Sequence, residues 1–286
     1  MDILYQIRAR LEHMSAGEQR IARLILEDVP FAASASLDEL ATRAEVSSAT
    51  LSRFARSAGC KDLRDLRLQL AQASGVGARF LGRTHAPEHS AFFGNIVSDI
   101  EATLRQHLAR FDEQTFARAV ALVHEARMVY AFGMGGCSTI FSDELQYRLV
   151  RLGYPIAAYH DPVLMRLTAA TLGQDQVVIA CSMTGITPEL VESLQLAKGY
   201  GARILAIAPE TSLVAQLADV VLPLFLAETD FIYKPTAARY GMMLAVDILA
   251  TELALSAPEA NQERLRRIKL AMDDYRGGDE RLPLGD

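Results

Sequence analysis

No uninterrupted apolar run in the 286 residues is long enough to span a bilayer, and the N-terminus carries Asp2 and a helical pattern where a secretory signal would be basic and apolar. A cytoplasmic protein with no membrane partner is the expectation. Cysteine is scarce: Cys60, Cys137 and Cys181 are odd in number and far apart, which argues against a disulfide framework and fits a reducing compartment. Ligand-type residues do not cluster either. His85 and His89 stand close together, but nothing is spaced to complete a site with them, so neither a metal nor a cofactor is expected.

What is present suffices for a substantial core. Half of the residues are hydrophobic and 22% are charged, the balance of an ordinary globular chain, long enough for one large or two ordinary domains. A net charge of −6 discourages nucleic-acid binding until its distribution is read. Between Arg43 and Arg67, six basic residues stand against three acidic ones, and the first 75 residues are neutral overall. The acidity belongs to the C-terminal part.

Helical spacing places Leu4, Ile7, Leu11 and Met14 on one face, and Ser15 to Glu18 form a capping box for a second helix that Pro30 is expected to end. Ser36 to Glu39 form another box, starting a short helix through about Ala44. Ser47 then caps a helix whose buried stripe is Leu51, Phe54, Ala55 and Ala58, with Gly59 as its left-handed stop. Ser48, Thr50, Arg53 and Arg56 lie off that stripe. Two short helices joined by a tight turn, the second with hydroxyls at its start and arginines on its outer face, are what a helix-turn-helix needs. Ser47, Ser48, Thr50, Arg53, Arg56 and Lys61 are therefore the candidate DNA-binding residues. Arginine suits bidentate reading of guanine edges, and Lys61, Arg64 and Arg67 suit phosphates.

A glycine-rich lapse follows, and the expected division is residues 1–76, a linker over 77–91, a second domain over 92–276 and a frayed tail over 277–286. The second domain opens with a helix from about Phe92 to Phe111, with Ile96, Ile100, Thr103, Leu104 and Leu108 on one side. Helices and apolar strands then alternate, the strands expected at 128–132, 155–159, 176–181, 202–207 and 219–224. Such repetition means a five-stranded parallel sheet between two helical layers, with ligands bound beyond the carboxyl ends of the strands. A long helix from about Thr236 and a tail helix near 262–275 complete the chain.

Two strand ends carry chemistry. Gly133-Met134-Gly135-Gly136-Cys137-Ser138 permits a tight turn and close backbone approach. As a dinucleotide fingerprint it fails: Ser138 holds the third glycine position, and no acid ends the second strand until Asp161. After the third strand, Ser182-Met183-Thr184-Gly185-Ile186-Thr187 runs into Pro188, with Thr187 as N-cap and Pro188 in the first turn, where its missing N–H is harmless. Free N–H groups, the positive helix end and the hydroxyls of Ser182, Thr184 and Thr187 converge there on a spot suited to a phosphate. No nucleophile with its base is spaced nearby, so no catalytic residue is expected.

The pair of loops resembles the two signatures of the sugar isomerase (SIS) domain, and the run Leu40 to Lys61 is similar to the helix-turn-helix of RpiR-type bacterial transcriptional regulators. The resemblance covers Leu4 to Glu252 in the family's domain order. It implies a winged-helix-like DNA-binding domain and a flavodoxin-like SIS domain sensing a phosphosugar, together regulating carbohydrate metabolism genes as a homodimer or homotetramer on operator DNA. It further implies effector contacts from Gly135, Ser138, Ser182, Met183, Thr184, Gly185 and Thr187, with Thr236 and Arg239 where relatives often carry Ser-Arg. Thr184 stands where a serine is usual, its methyl narrowing the loop while the hydroxyl remains. Gly59-Cys60 with Leu63 to Leu70 resembles regulators of hexose catabolism that respond to a phosphorylated keto-deoxy sugar acid. The alternative is a SIS-type isomerase with an accessory helical domain, needing a base from Glu144, His160 or Glu228. None of these has a partner that spacing identifies, and a DNA-binding domain joined to a sensor makes sense of both halves, so a non-enzyme is expected.

Overall fold

A computed structural model describes residues 2–75, 91–227 and 236–276, which form two compact units, one within 2–75 and one from residue 91 onward. The expected linker apart from Ala91, the expected tail, His85, His89 and Glu228 lie outside the described residues.

Six α-helices make the first unit: α1 (Ile3–Arg10), α2 (Ala16–Glu27), α3 (Val29–Ser34), α4 (Leu37–Arg43), α5 (Ser48–Ser57) and α6 (Leu63–Gly75), with one 3₁₀ turn at Leu11–His13. Asp2 caps α1 by accepting from Leu4 and Tyr5 N–H. The Glu18 carboxylate accepts from both the N–H and the hydroxyl of Ser15, at 3.0 and 2.7 Å. Pro30 does not end the second helix. Instead, α2 closes on Asp28, whose side chain accepts from Phe31 N–H to start α3, and Pro30 occupies the first turn of that helix. The core is the stripe read from the sequence: Ile7, Ile21, Ile25, Leu40, Leu51, Phe54 and Ala58 are buried together with Leu66 and Leu70 of α6.

In the second unit, α7 (Ala91–Leu108) and α8 (Glu113–Glu125) precede β1 (Met128–Phe132), α9 (Gly136–Arg151), β2 (Ile156–Tyr159), α10 (Pro162–Ala169), β3 (Gln176–Cys181), α11 (Pro188–Gly199), β4 (Arg203–Ala208), α12 (Leu213–Leu217), β5 (Val220–Pro223), α13 (Ala238–Leu255) and α14 (Pro258–Tyr275). The strands form one parallel sheet in the order β2-β1-β3-β4-β5. On one face Phe116, Leu145, Leu149, Met242 and Val246 of α8, α9 and α13 pack on Val129, Val177 and Ile179. On the other, Met165, Leu194 and Val214 of α10, α11 and α12 pack on Phe132, Val178 and Ile204. Covered on both faces, β3 is buried at every residue, which is why its sequence is an unbroken apolar run.

The chain passes from β1 to one side and returns through β3 on the other, so their carboxyl ends flank a topological switch point. At the β2 edge, Pro155 and Tyr159 carbonyls accept from β1, so Ala158 faces outward; its N–H donates to Gln146 Oε1 at 2.6 Å. The inner stripe of α7 runs as expected through Ile96, Ile100, Thr103 and Leu104 and departs only in the last turn. Leu108 is exposed, and the fully buried position is His107, which packs so closely on α13 that a Cβ at Gly241 would lie 2.2 Å from its Nε2. His107 Nδ1 faces the Thr103 carbonyl at 2.8 Å and Nε2 accepts from Phe225 N–H at 3.1 Å. This fixes a neutral ring with the proton on Nδ1, and burial lowers its pKa. Among the described residues, no single helix is long and apolar enough to cross a membrane.

Candidate functional site

Of the expected DNA-binding residues, Ser48, Thr50, Arg53 and Arg56 lie on α5, Ser47 precedes it and Lys61 follows it. Ser47 caps it, accepting from Thr50 N–H at 3.2 Å, with the two hydroxyls 3.0 Å apart. Ser47, Ser48, Arg53, Arg56 and Lys61 are exposed and Thr50 is half-buried. Arg53 is partly ordered by donating to Thr50 Oγ1 at 3.3 Å. The turn before α5 is held from α2: Arg20 donates to the carbonyls of Ala44 and Glu45 at 3.1 and 3.0 Å, and Glu45 adopts a left-handed φ of 52°. Close packing continues at Gly17, where a Cβ would approach Thr50 Cγ2 to 3.1 Å. Gly59, at φ 93°, ends α5 as expected. The neighbouring Cys60 is buried, and burial together with Asp65 and Asp62 pushes its thiol up to about 11, so it is an inert core group.

The two loops meet at the switch point. Ser138 lies in the first turn of α9, nearly buried, and its Oγ accepts from Met183 N–H at 3.3 Å, joining the β1 loop to the β3 loop. Ser182 is also buried; its Oγ accepts from Gly185 N–H at 2.9 Å and shapes the second loop. Thr184 is exposed and Thr187 half-buried. Glycine is required at two positions. A Cβ on Gly133 would lie 2.2 Å from the Ser138 carbonyl oxygen, and one on Gly185, at φ 67°, would lie 2.2 Å from both Cβ and Oγ of Ser212. Ser212, which the sequence reading passed over, caps α12 by accepting from Ala215 N–H, while Val214 N–H donates to the Gly185 carbonyl. Its position immediately before an apolar helical run was the available signal.

Capping separates the helix ends. Asp112, Asp161 and Ser212 cap α8, α10 and α12 with their side chains. In contrast, Gly135, Thr187, Ala237 and Ala257 give α9, α11, α13 and α14 no side-chain cap, and of these α9 and α11 start from the two loops. The positive ends of α9 and α11 thus present backbone donors beside Ser138 and Thr187. At the head of α13, Thr236 Oγ1 accepts from Ala238 N–H, and Arg239 donates to the Tyr240 hydroxyl at 3.3 Å. Of the groups considered as bases, the two within the described residues, Glu144 and His160, are engaged by neighbouring side chains and backbone. Glu144 accepts from Arg148 at 2.6 Å, and His160 faces the Gly133 carbonyl through Nδ1 at 3.0 Å and Asp143 through Nε2 at 2.8 Å, bracing the first loop from below. Burial raises the Cys181 thiol to about 12, removing it as a nucleophile.

Comparison with known proteins agrees with both units. Residues 1–75 match the helix-turn-helix domain of the rpiR family and residues 122–252 match the SIS domain. The chain is 30% identical over 288 residues to the HTH-type transcriptional regulator HexR of Escherichia coli, covering 100% of this chain and 99% of the relative. It is 32% identical over 270 residues to HexR of Pseudomonas aeruginosa, covering 94% of each. Among solved structures, the Vibrio vulnificus NanR protein complexed with ManNAc-6P is similar in fold, with a TM-score of 0.60 at 24% identity over 94% of this chain and 98% of that one. Matched from end to end by full-length regulators, and in each half by the corresponding domain, the chain belongs to the RpiR family of helix-turn-helix transcriptional regulators that carry a SIS domain.

Proposed function

We propose that this regulator binds operator DNA through α5 and controls carbohydrate metabolism genes in response to a sugar phosphate or phosphorylated sugar acid held at the carboxyl ends of β1 and β3. The observation that carries the effector half is the pair of helix ends without side-chain caps, α9 and α11, joined by the Ser138 to Met183 hydrogen bond. Backbone donors, positive helix ends and hydroxyls at one spot are the chemistry of a phosphate site. In this reading Gly135, Ser138, Ser182, Met183, Thr184, Gly185 and Thr187 cradle the phosphate, and Thr236 and Arg239 reach the remainder of the effector. A phosphorylated keto-deoxy sugar acid is the first candidate. As a homodimer or homotetramer, the protein would present two recognition helices to half-sites about 34 Å apart or a multiple of it. The effector acts by binding one arrangement of the DNA-binding units more tightly than another.

The protein is expected to be a sensor without turnover: Glu144 is held by Arg148, and His160 is turned to Gly133 and Asp143. A thermal-shift screen of the full chain against sugar phosphates and phosphorylated sugar acids tests the proposal, since a ligand of the folded state raises the melting temperature by mass action. The expected hit also changes operator affinity. Ser182→Ala with Thr187→Ala should abolish both responses while operator binding stays intact; a normal response in that variant would place the phosphate elsewhere.

A further inference from the structure

At the other end of the sheet, by the amino ends of β1 and β2, the last turn of α9 and the middle of α14 enclose a groove of about 340 Å³. Its lining includes Val150, Arg151, Gly153, Arg264, Arg267 and Ile268: three guanidiniums and no carboxylate. That is an unusual concentration in a chain of net charge −6.

One of the three is built in. Arg264 Nη1 donates to Asn261 Oδ1 at 2.7 Å, and the buried Asn261 is itself fixed by donating to the carbonyls of Leu253 and Ala254. Gly153, at φ 81°, lies against this guanidinium so closely that a Cβ would come 2.9 Å from Arg264 Nε. Asn261 is neutral, so it orients Arg264 without cancelling its charge. The carboxylate on the neighbouring turn, Glu263, is taken by Arg266 through two bonds of 2.6 and 2.7 Å and stands 3.9 Å from Arg267. Arg151 has no carboxylate partner among the described residues. The carboxyl end of α9 contributes roughly half a negative charge, which offsets only part of one guanidinium.

We propose that this groove is a second anion site, separate from the effector loops, that takes a phosphate group. Arginine forks match phosphate oxygens two at a time, and a fork already oriented loses little freedom on binding. Val150 and Ile268 give the adjoining part of the ligand an apolar wall. The phosphate can come from a free phosphorylated metabolite or from the backbone of bound DNA.

Inorganic pyrophosphate titrated into the full-length protein by calorimetry separates this site from the loops. In the Ser182→Ala/Thr187→Ala background, pyrophosphate binding should persist. Adding Arg151→Gln and Arg267→Gln should weaken it at least tenfold, and Arg264→Lys, which keeps the charge but loses the fork, should weaken it several-fold. Arg267 is largely exposed, so the fold should be retained, as circular dichroism would verify. A parallel titration with non-specific duplex DNA assigns the source. If the phosphate is DNA's, the Gln pair should flatten the dependence of log K on log salt by about 1 to 2; an unchanged slope with lost pyrophosphate binding identifies a free metabolite. Pyrophosphate affinity that is indifferent to the arginines, or that vanishes with the loop variant alone, overturns the proposal.

Discussion

Gly185→Ala is the sharpest perturbation of the effector loop, because its cost has two separable parts. At φ 67° an alanine is held in the left-handed region, costing about 1 to 2 kcal/mol. Its Cβ would also meet Ser212 Cβ and Oγ at 2.2 Å, and such overpacking costs about 1 to 3 kcal/mol. The single variant should therefore lose about 2 to 5 kcal/mol. Ser212→Gly removes both clashing atoms, after which the nearest neighbour is Pro209 Cδ at 3.4 Å, an ordinary contact. Glycine is a tolerable N-cap, so Ser212→Gly alone should cost only a few tenths, about 0.3 kcal/mol. The double variant should then retain the backbone strain and recover the clash, ending about 1 to 3 kcal/mol above Gly185→Ala. The sequence contains no tryptophan, so hydrogen exchange is the better assay. The amides of β3, every residue of which is buried, report opening of this unit on its own. A double variant as unstable as Gly185→Ala would show that the approach to Ser212 is not what excludes a side chain.

Arg53→Ala should weaken binding to a specific operator by about 1 to 3 kcal/mol if its guanidinium reads a base edge, leaving non-specific binding much less changed; equal affinity for the operator would remove Arg53 from that role. His107 should make the second unit acid-sensitive. Its folded pKa is depressed, so the unfolded chain takes the proton first, and stability present above the unfolded value of about 6.5 is lost as pH falls below it. Chemical denaturation at pH 7.5 and 5.5 should show a smaller drop for His107→Gln than for the wild type, and identical drops would mean that His107 is not the group responsible.

The alternation of strands and helices was legible because each buried strand is a short apolar run bounded by turn residues, and every strand end falls within one residue of the expected one. The misses have two causes, a local cap and contacts distant in sequence. Pro30 reads as a stop, yet the Asp28 cap turns it into a helix start. Leu108 fits an apolar stripe, yet the absence of a side chain at Gly241 and the Phe225 N–H draw His107 inward instead. Within the candidate site, the hydroxyls and glycines of both loops were visible from composition alone. That Ser138 would bond the other loop, and that Ser212 would explain Gly185, required the register of β1 against β3 and the fold of α12 onto the β3 loop.

Gln146 blunts one edge of the sheet. An exposed strand edge is a template on which another chain can extend the ladder, and β2 would be such a template if its outward N–H groups were open. By placing its amide oxygen on Ala158, Gln146 occupies one of the outward donors that an incoming strand would use. Pairing of another strand along this edge is thereby discouraged at that position, and the sheet is kept from growing outward beyond β2.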